Sequence, residues 1–338
     1  MRLRYLGIIG VFFLILCSFS SCQQNQDKKR KIELPASKGM PSELLLITDY
    51  EVEKSDMMDS LKEFTDASVA GIMQYEPVFK TVRVHEASFA QRYITMHTQL
   101  RVHIDKSLEH PMIGVVRDEY AVPQTEVTLA APDLQALRRY FYGHKQDLYD
   151  LLHDALLRVR TYELQKNHNV AIEQIAKRSM GVRLYVPQMI KASKRGEQFL
   201  WAGSNLNSRD LNVVLYSYAW DGTPLEDMSH FVQVRDSVMK KNIPGEKAGQ
   251  WMQTARVDGK PVILNRERIW EGKSYVEVRG MWDVKDEPLG GPFISLVSLD
   301  SLNRKVMVAE GFVYSPATEK RDLLLQVEAS LLTVRKQK

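Results

Sequence analysis

The sequence predicts an α+β protein: antiparallel sheets with packed amphipathic helices, arranged as two sheet-plus-helix halves. Three observations lead there. Short segments alternating apolar and polar residues recur along the chain, as half-buried strands require. Segments with apolar residues three and four apart interrupt them, as amphipathic helices require. With 44% hydrophobic and 26% charged residues over 338 positions, the chain has ordinary globular composition and enough length to bury a conventional core.

Residues 1–21 form a lipoprotein signal peptide and residues 22–40 a polar tether. Arg2 and Arg4 lead an apolar run from Tyr5 to Leu16 that stops at Ser20-Ser21-Cys22. Small residues before a cysteine suit a signal peptidase, and Cys22 supplies the thiol for lipid attachment. Phe19 stands where such signals usually carry Leu. The apolar run falls short of the ~20 residues that span a bilayer as a helix. Cys17 follows bulky Leu16 inside that run, so it leaves with the signal and only the acylated Cys22 remains. A disulfide framework, a cysteine nucleophile and a cysteine metal site are thereby excluded. Gln23-Gln24-Asn25-Gln26 follows the lipid cysteine without an acidic run, which points to the periplasmic side of the outer membrane. The run Lys28-Lys29-Arg30-Lys31 is expected to be a solvated part of the tether, the alternative being contact with anionic head groups at about 1 kcal/mol per charge. Lys and Arg number 46 against 42 Asp and Glu, and the signal removes two of the former, so no nucleic-acid partner has electrostatic support.

The N-terminal α+β half is expected over 41–166. It opens on Glu43–Thr48, an apolar run of strand length, after which Ser55 stands as N-cap before Met57, Met58, Leu61 and Phe64 at helical spacing. Alternating segments follow at Phe79–Val84, Leu100–Ile104, Met112–Val116 and Thr125–Leu129, predicting an antiparallel sheet with one wet face. Pro132-Asp133 caps a long helix carrying Leu134, Leu137, Phe141, Leu148 and Leu151 and continuing to Tyr162, with Gly143 as a kink. Asn167-His168-Asn169 breaks the pattern and marks the boundary between halves.

The C-terminal α+β half, 167–338, begins with a helix over Val170–Ser179 and strands at Val182–Val186, Gln198–Ala202 and Leu211–Tyr218. Thr223-Pro224-Leu225-Glu226 has the form of a helix start, with Thr223 as N-cap, Pro at N1 and Glu226 closing a capping box. Met228, Phe231, Val232, Arg235, Val238 and Met239 trace that helix's face, and Pro244-Gly245 stops it. An antiparallel meander spans 253–314, with turns at Asp258-Gly259, Glu271-Gly272-Lys273 and Ser301–Arg304. Ser315-Pro316 precedes a terminal helix with Leu324, Val327, Leu331 and Val334 as its buried stripe. Both halves end as strand, small residue, Pro and amphipathic helix, an echo that a divergent duplication would produce.

No complete catalytic set stands out. Nothing matches a Gly-rich phosphate loop, an EF-hand or a metalloprotease helix, and the eight histidines never occur four apart, so neither a cofactor nor a metal site is expected. His97 and His103 flank a strand start and are taken as solvent-facing or core-edge imidazoles. Ser237-Val238-Met239-Lys240 has the S-x-x-K form of penicillin-binding serine enzymes, but the serine lies deep in a helix and the S-D-N and K-T-G partners are missing. The densest stretch runs from Arg279 to Phe293. It places a strand carrying Arg279 and Trp282 before a loop with Asp283, Asp286, Glu287, Gly290 and Gly291. Three positions separate Arg279 from Trp282, which puts them on opposite faces of a regular strand. Gly290-Gly291-Pro292 is expected to return the chain as a turn, with Gly290 at positive φ because Pro292 pushes Gly291 toward extended geometry.

RGMWDVKDEPLGGPF (279–293), RDSVMKKNIPG (235–245), GFVYSP (311–316) and Lys320-Arg321 resemble the Bacteroidetes lipoprotein family known as domain of unknown function 4837. The similarity extends over most of the mature chain, including Pro123-Gln124 and the first strand; Leu289 replaces the family's frequent Met. The resemblance implies a cell-envelope lipoprotein and brings no known activity or catalytic residue. The expectation is a membrane-tethered, non-enzymatic module that binds an envelope protein or glycan near Arg279, Trp282, Asp283, Asp286, Glu287, Gly290 and Gly291. The alternative is a hydrolase or transferase acting on cell-wall or carbohydrate material, with Asp283, Asp286 or Glu287 as acid and base.

Overall fold

The computed structural model describes residues 33–337. The signal peptide, Cys22 and most of the tether lie outside the described residues. In chain order the first half contains β1 (Glu43–Thr48), α1 (Tyr50–Glu53), α2 (Met57–Thr65), β2 (Lys80–His85), α3 (Gln91–Ile94), β3 (Thr98–Ile104), β4 (Met112–Arg117), β5 (Thr125–Ala131), α4 (Leu134–Gly143) and α5 (Lys145–Lys166). The second half contains α6 (Val170–Met180), β6 (Val182–Arg183), β7 (Ala192–Gly196), β8 (Phe199–Gly203), β9 (Asp210–Ala219) and α7 (Met228–Asn242). It continues with β10 (Met252–Thr254), β11 (Arg256–Val257), β12 (Lys260–Pro261), β13 (Ile263–Trp270), β14 (Lys273–Val284), β15 (Glu287–Asp300), β16 (Lys305–Tyr314), α8 (Arg321–Leu332) and β17 (Arg335–Lys336). The class is α+β.

The first sheet has the order β2-β1-β3-β5-β4. It corrects the expectation of an antiparallel sheet in this half: β1 pairs in parallel with β2 and β3, β3 pairs in parallel with β5, and the β4–β5 pair is antiparallel. Alternation reports a half-buried strand without its pairing sense. The better cue is β1, whose Leu44, Leu45, Leu46 and Ile47 are all fully buried, as both-faced burial of a central parallel strand demands. Helices α1 and α2 separate β1 from β2, and α3 separates β2 from β3, which supplies the crossovers parallel pairing needs. The long helix breaks at His144, one residue past Gly143, where the backbone and Nδ1 N–H groups of His144 both donate to Tyr140 O.

The second sheet is antiparallel with the order β10-β14-β15-β16-β9-β8-β7, and β13 also pairs with β14. Period-two alternation divides its side chains. Leu200, Leu211, Val213, Leu215, Ile294 and Leu296 join the core that holds α8, α5 and the first sheet's Leu44 and Leu46. Val214, Tyr216, Val278, Phe293 and Phe312 pack instead with Phe231, Val232 and Met239 of α7. The layers are therefore small sheet, helices, large sheet and α7, with one core running through the first three. Because layers cover it on more than one side, α8 buries Leu323, Leu324, Leu325, Val327, Glu328, Ala329, Leu331 and Leu332 rather than a single stripe. Its first turn is capped across the halves: Glu76 accepts the backbone N–H groups of Lys320 and Arg321. The two sheets differ in strand order, and the small one is mostly parallel where the large one is antiparallel, so the strand-Pro-helix echo is local and a duplication is not shown.

Two local expectations are corrected. Helix α7 starts after Asp227, whose Oδ1 accepts the N–H of His230, while Thr223 lies in a preceding turn and accepts from the Trp220 indole through its carbonyl. Asp227 satisfies the helix-end donors that Thr223, four residues upstream, does not reach. The loop between β14 and β15 is only Lys285-Asp286, with Asp286 at φ 60°, and Gly290-Gly291-Pro292 lies inside β15. Neither glycine has a positive φ; what they provide is close approach. A Cβ on Gly290 would stand 2.7 Å from Trp282 O, and one on Gly291 would collide with Val313 O.

Candidate functional site

Strand β14 sends its side chains alternately to two different environments. Trp282 goes to the α7 side, where it packs edge-on against Phe312 with ring centroids 5.5 Å apart. Arg279 goes to the opposite side, beneath α5 and α8, with Glu277 two positions earlier. The two residues singled out together in the sequence thus face different layers. Asp283 pairs with Gly290 across the sheet, and Gly291 pairs with Trp282. Asp286 sits at the hairpin tip with its side chain 75% exposed. Glu287 accepts hydrogen bonds from Gln250 Nε2 at 2.8 Å and, at 3.5 Å, from Lys247 Nζ, which together hold its carboxyl below the usual range. None of Asp283, Asp286 or Glu287 lines the cavity that Arg279 reaches.

Around Arg279 the fold assembles a buried ion cluster from four elements. Arg279 donates from Nε to Glu277 Oε1 and from Nη2 to Glu328 Oε2 of α8, both at 2.7 Å. Arg266 and Arg268 of β13 complete the shell around Glu277: Arg266 Nε reaches Oε1 at 3.2 Å and Arg268 Nη1 reaches Oε2 at 2.8 Å. From α5, His153 Nε2 donates to Glu328 at 3.1 Å, Asp154 accepts from Arg268 Nη2 at 2.6 Å, and Asp150 accepts from Arg266 Nη1. Glu277 and Glu328 are 2% and 1% exposed.

Burial, the largest single influence, would raise both glutamates, but the surrounding cations together outweigh it: Arg279 first at each, with Arg268 and Arg266 adding at Glu277 and His153 and Arg268 adding at Glu328. Both carboxyls are held well below the ordinary range. Burial opposes the charge on Arg279, and Glu277 and Glu328 restore it, so its pKa rises. Burial pushes Asp154 up despite Arg268, and burial also pushes up the hydroxyl of Tyr149.

The cluster opens on one side into a cavity of about 240 Å³. Its floor is Glu277, Arg279 and Arg266, and its walls include Tyr149 and Gln146 of α5, Asn265 of β13 and Ser68 from the α2–β2 connection. That connection lies directly on β14. Gly71, at φ 84°, would bring a Cβ within 3.3 Å of Arg279 Cβ. A larger cleft of about 850 Å³ runs beside the C-terminal end of α8, over an apolar floor that includes Leu296, Met307 and Leu331. Among the described residues no group of three or more His, Cys, Asp and Glu is placed to hold a metal, and no helix is long and apolar enough to cross a membrane.

Sequence reasoning found Arg279 but missed Glu277, Glu328, His153, Arg266, Arg268 and Tyr149. One signal was present: Glu328 is the one charged residue in the mostly apolar stretch Leu323–Leu332, where a charge requires a buried partner. Comparison with known proteins places residues 169–333 in the match to Domain of unknown function (DUF4837) and residues 37–165 in the match to a different family, Domain of unknown function (DUF8532). Pro123-Gln124 and the first strand fall in the second match, so the resemblance to the former covers the second half rather than most of the chain. No curated protein matches the sequence significantly. The part of the chain that supplies Arg266, Arg268, Glu277, Arg279 and Glu328 thus lies within the match to the DUF4837 family.

Proposed function

We propose that this protein is a lipid-tethered envelope module that binds a partner protein or glycan without transforming it. Saturation of the interior carboxylates carries the reading. Each oxygen of Glu277 accepts from guanidinium nitrogens, and Glu328 is shared by Arg279 and His153. Carboxylates held ionised in this way neither donate a proton near neutral pH nor act as strong bases. Asp154, the one carboxyl here that burial raises, is engaged by Arg268 and does not line the cavity. Anchoring through Cys22, on the periplasmic side of the outer membrane, follows from the signal pattern in residues 1–22.

Two experiments test the reading. Membrane fractionation of Cys22→Ser should move the protein to the soluble fraction with its fold intact, because each buried methylene of an acyl chain contributes only about 0.8 kcal/mol, and only while the chain is attached. A variant that still pellets with membranes removes the lipid anchor from the proposal. Screening the full-length protein against envelope glycans and against ester, phosphate and glycoside substrates should give capture without turnover. Turnover that disappears in Asp286→Asn would overturn the binding reading in favour of a hydrolase or transferase.

A further inference from the structure

The cavity beside Arg279 has hydrogen-bond donors left over on its inner side. Arg279 spends Nε and Nη2 within the cluster, and its Nη1 has no partner among the described residues, although the residue is 6% exposed. Tyr149 is held by packing of its ring, stacked on His153 at 5.6 Å and tilted against Phe79 at 6.3 Å; its hydroxyl has no partner among the described residues. Both residues line the cavity, with the side-chain amides of Gln146 and Asn265 beside them. The one carboxylate in the lining, Glu277, already accepts four N–H groups from three arginines. Both donors face open space that water can enter, so a ligand that supplies acceptors there takes the place of water without displacing any protein partner.

We propose that the cavity binds a small monocarboxylate, with the ligand's carboxylate accepting from Arg279 Nη1 and the Tyr149 hydroxyl. The inference rests on the binding reading above and names the ligand chemistry of the same site. The charge count limits the ligand to a weakly charged acceptor. Arg266, Arg268 and Arg279 already face four carboxylates, Glu277, Glu328, Asp150 and Asp154, so the site offers no surplus positive charge for a dianion such as phosphate, and a monocarboxylate is the smallest charge that still gains two charge-assisted hydrogen bonds. The volume of about 240 Å³ lies below the ~300 Å³ at which drug-sized sites begin, which limits the buried part to one sugar ring or one or two amino-acid residues. An acidic sugar and the free C-terminus of a short peptide share this chemistry.

Calorimetric titration of the full-length protein in detergent tests the proposal. The probes are D-glucuronate and N-acetyl-alanyl-alanine, compared with methyl glucoside, the corresponding peptide amide and inorganic phosphate. At least one carboxylate should bind saturably, and its neutral counterpart and phosphate should each bind about ten-fold more weakly or worse. Whichever carboxylate binds identifies the source. Arg279→Gln would take one guanidinium partner from each of two buried glutamates and endanger folding, so Tyr149→Phe is the informative variant: it keeps the ring and removes one donor. It should weaken carboxylate binding by about five- to ten-fold with an unchanged unfolding midpoint. Asn265→Leu, on the exposed rim, provides a second variant expected to weaken binding. Absence of saturable binding by both carboxylates, equal or tighter binding of phosphate, or indifference to both substitutions would overturn the proposal. Capture of an envelope partner that persists in Tyr149→Phe removes the carboxylate assignment and leaves the binding reading standing, whereas substrate turnover removes the binding reading itself.

Discussion

Two buried ion clusters lie on opposite faces of the large sheet and differ in what they leave unspent. On the α7 side, Arg235 donates to both oxygens of Glu310 at 2.9 and 2.8 Å and from Nη1 to Thr254 Oγ1 at 3.0 Å. Its guanidinium lies 4.0 Å from the Phe293 ring centroid, and Ser295 Oγ donates to Glu310 at 2.8 Å. Arginine and glutamate there are both fully buried, and neither lines a described cavity. On the α5–α8 side, three arginines, two glutamates and a histidine also interlock, but Arg279 Nη1 and the Tyr149 hydroxyl have no partner among the described residues and adjoin open space. A sealed pair fixes how α7 lies on the sheet, whereas an arginine with a free nitrogen at a cavity wall can recognise something. Buried charge is common to both, so donor accounting separates strut from site.

The sealed pair should give the largest response. Arg235→Met leaves Glu310 charged and unpaired in a dry interior and should destabilise by ~3–5 kcal/mol in denaturant unfolding, while adding Glu310→Leu should recover most of the loss. A single variant that unfolds at the wild-type midpoint would show that the cluster is wetter than its burial indicates.

Glu328→Gln should be milder, about 1.5–3 kcal/mol, because Arg279 keeps Glu277 and borders a cavity that water can enter. The same variant sharpens the comparison by pH. Glu277 and Glu328 have folded-state pKa values below the ordinary glutamate value of 4.5, so their stabilisation is fully present above that value and is lost as pH falls below it through the depressed folded values. Wild type should therefore lose stability more steeply than Glu328→Gln on acidification below about 4.5; parallel profiles would mean that Glu328 is not held ionised.

Next in size, Asp227→Ala should destabilise by about 0.5–2 kcal/mol through loss of the α7 N-cap, with Thr223→Ala well below it. Equal effects would return the helix start to Thr223. Smallest of all, Asp286→Asn at the exposed hairpin tip should stay within about ±0.5 kcal/mol and leave binding unchanged.

The sequence by itself determined what is local. The turns at Asp258-Gly259 and Glu271-Gly272 were legible because consecutive residues there take positive φ, at 50° and 75° in the first and 47° and 74° in the second, a geometry that glycine marks. The face of α7 was legible because its contacts repeat at helical spacing, and the opposite orientation of Arg279 and Trp282 because a strand has period two. Gly290-Gly291 was misread because a glycine needed for close approach looks in sequence like a glycine needed for positive φ. Only the tertiary structure decided the parallel pairing of β1, since alternation is the same for either sense. It alone also decided the cluster. Glu277 and Arg279 alternate with valines and look like the wet side of an amphipathic strand until α8 and α5, contributed by distant residues, close over that face. Burial is conferred by the covering layer, and no residue on the strand carries that information.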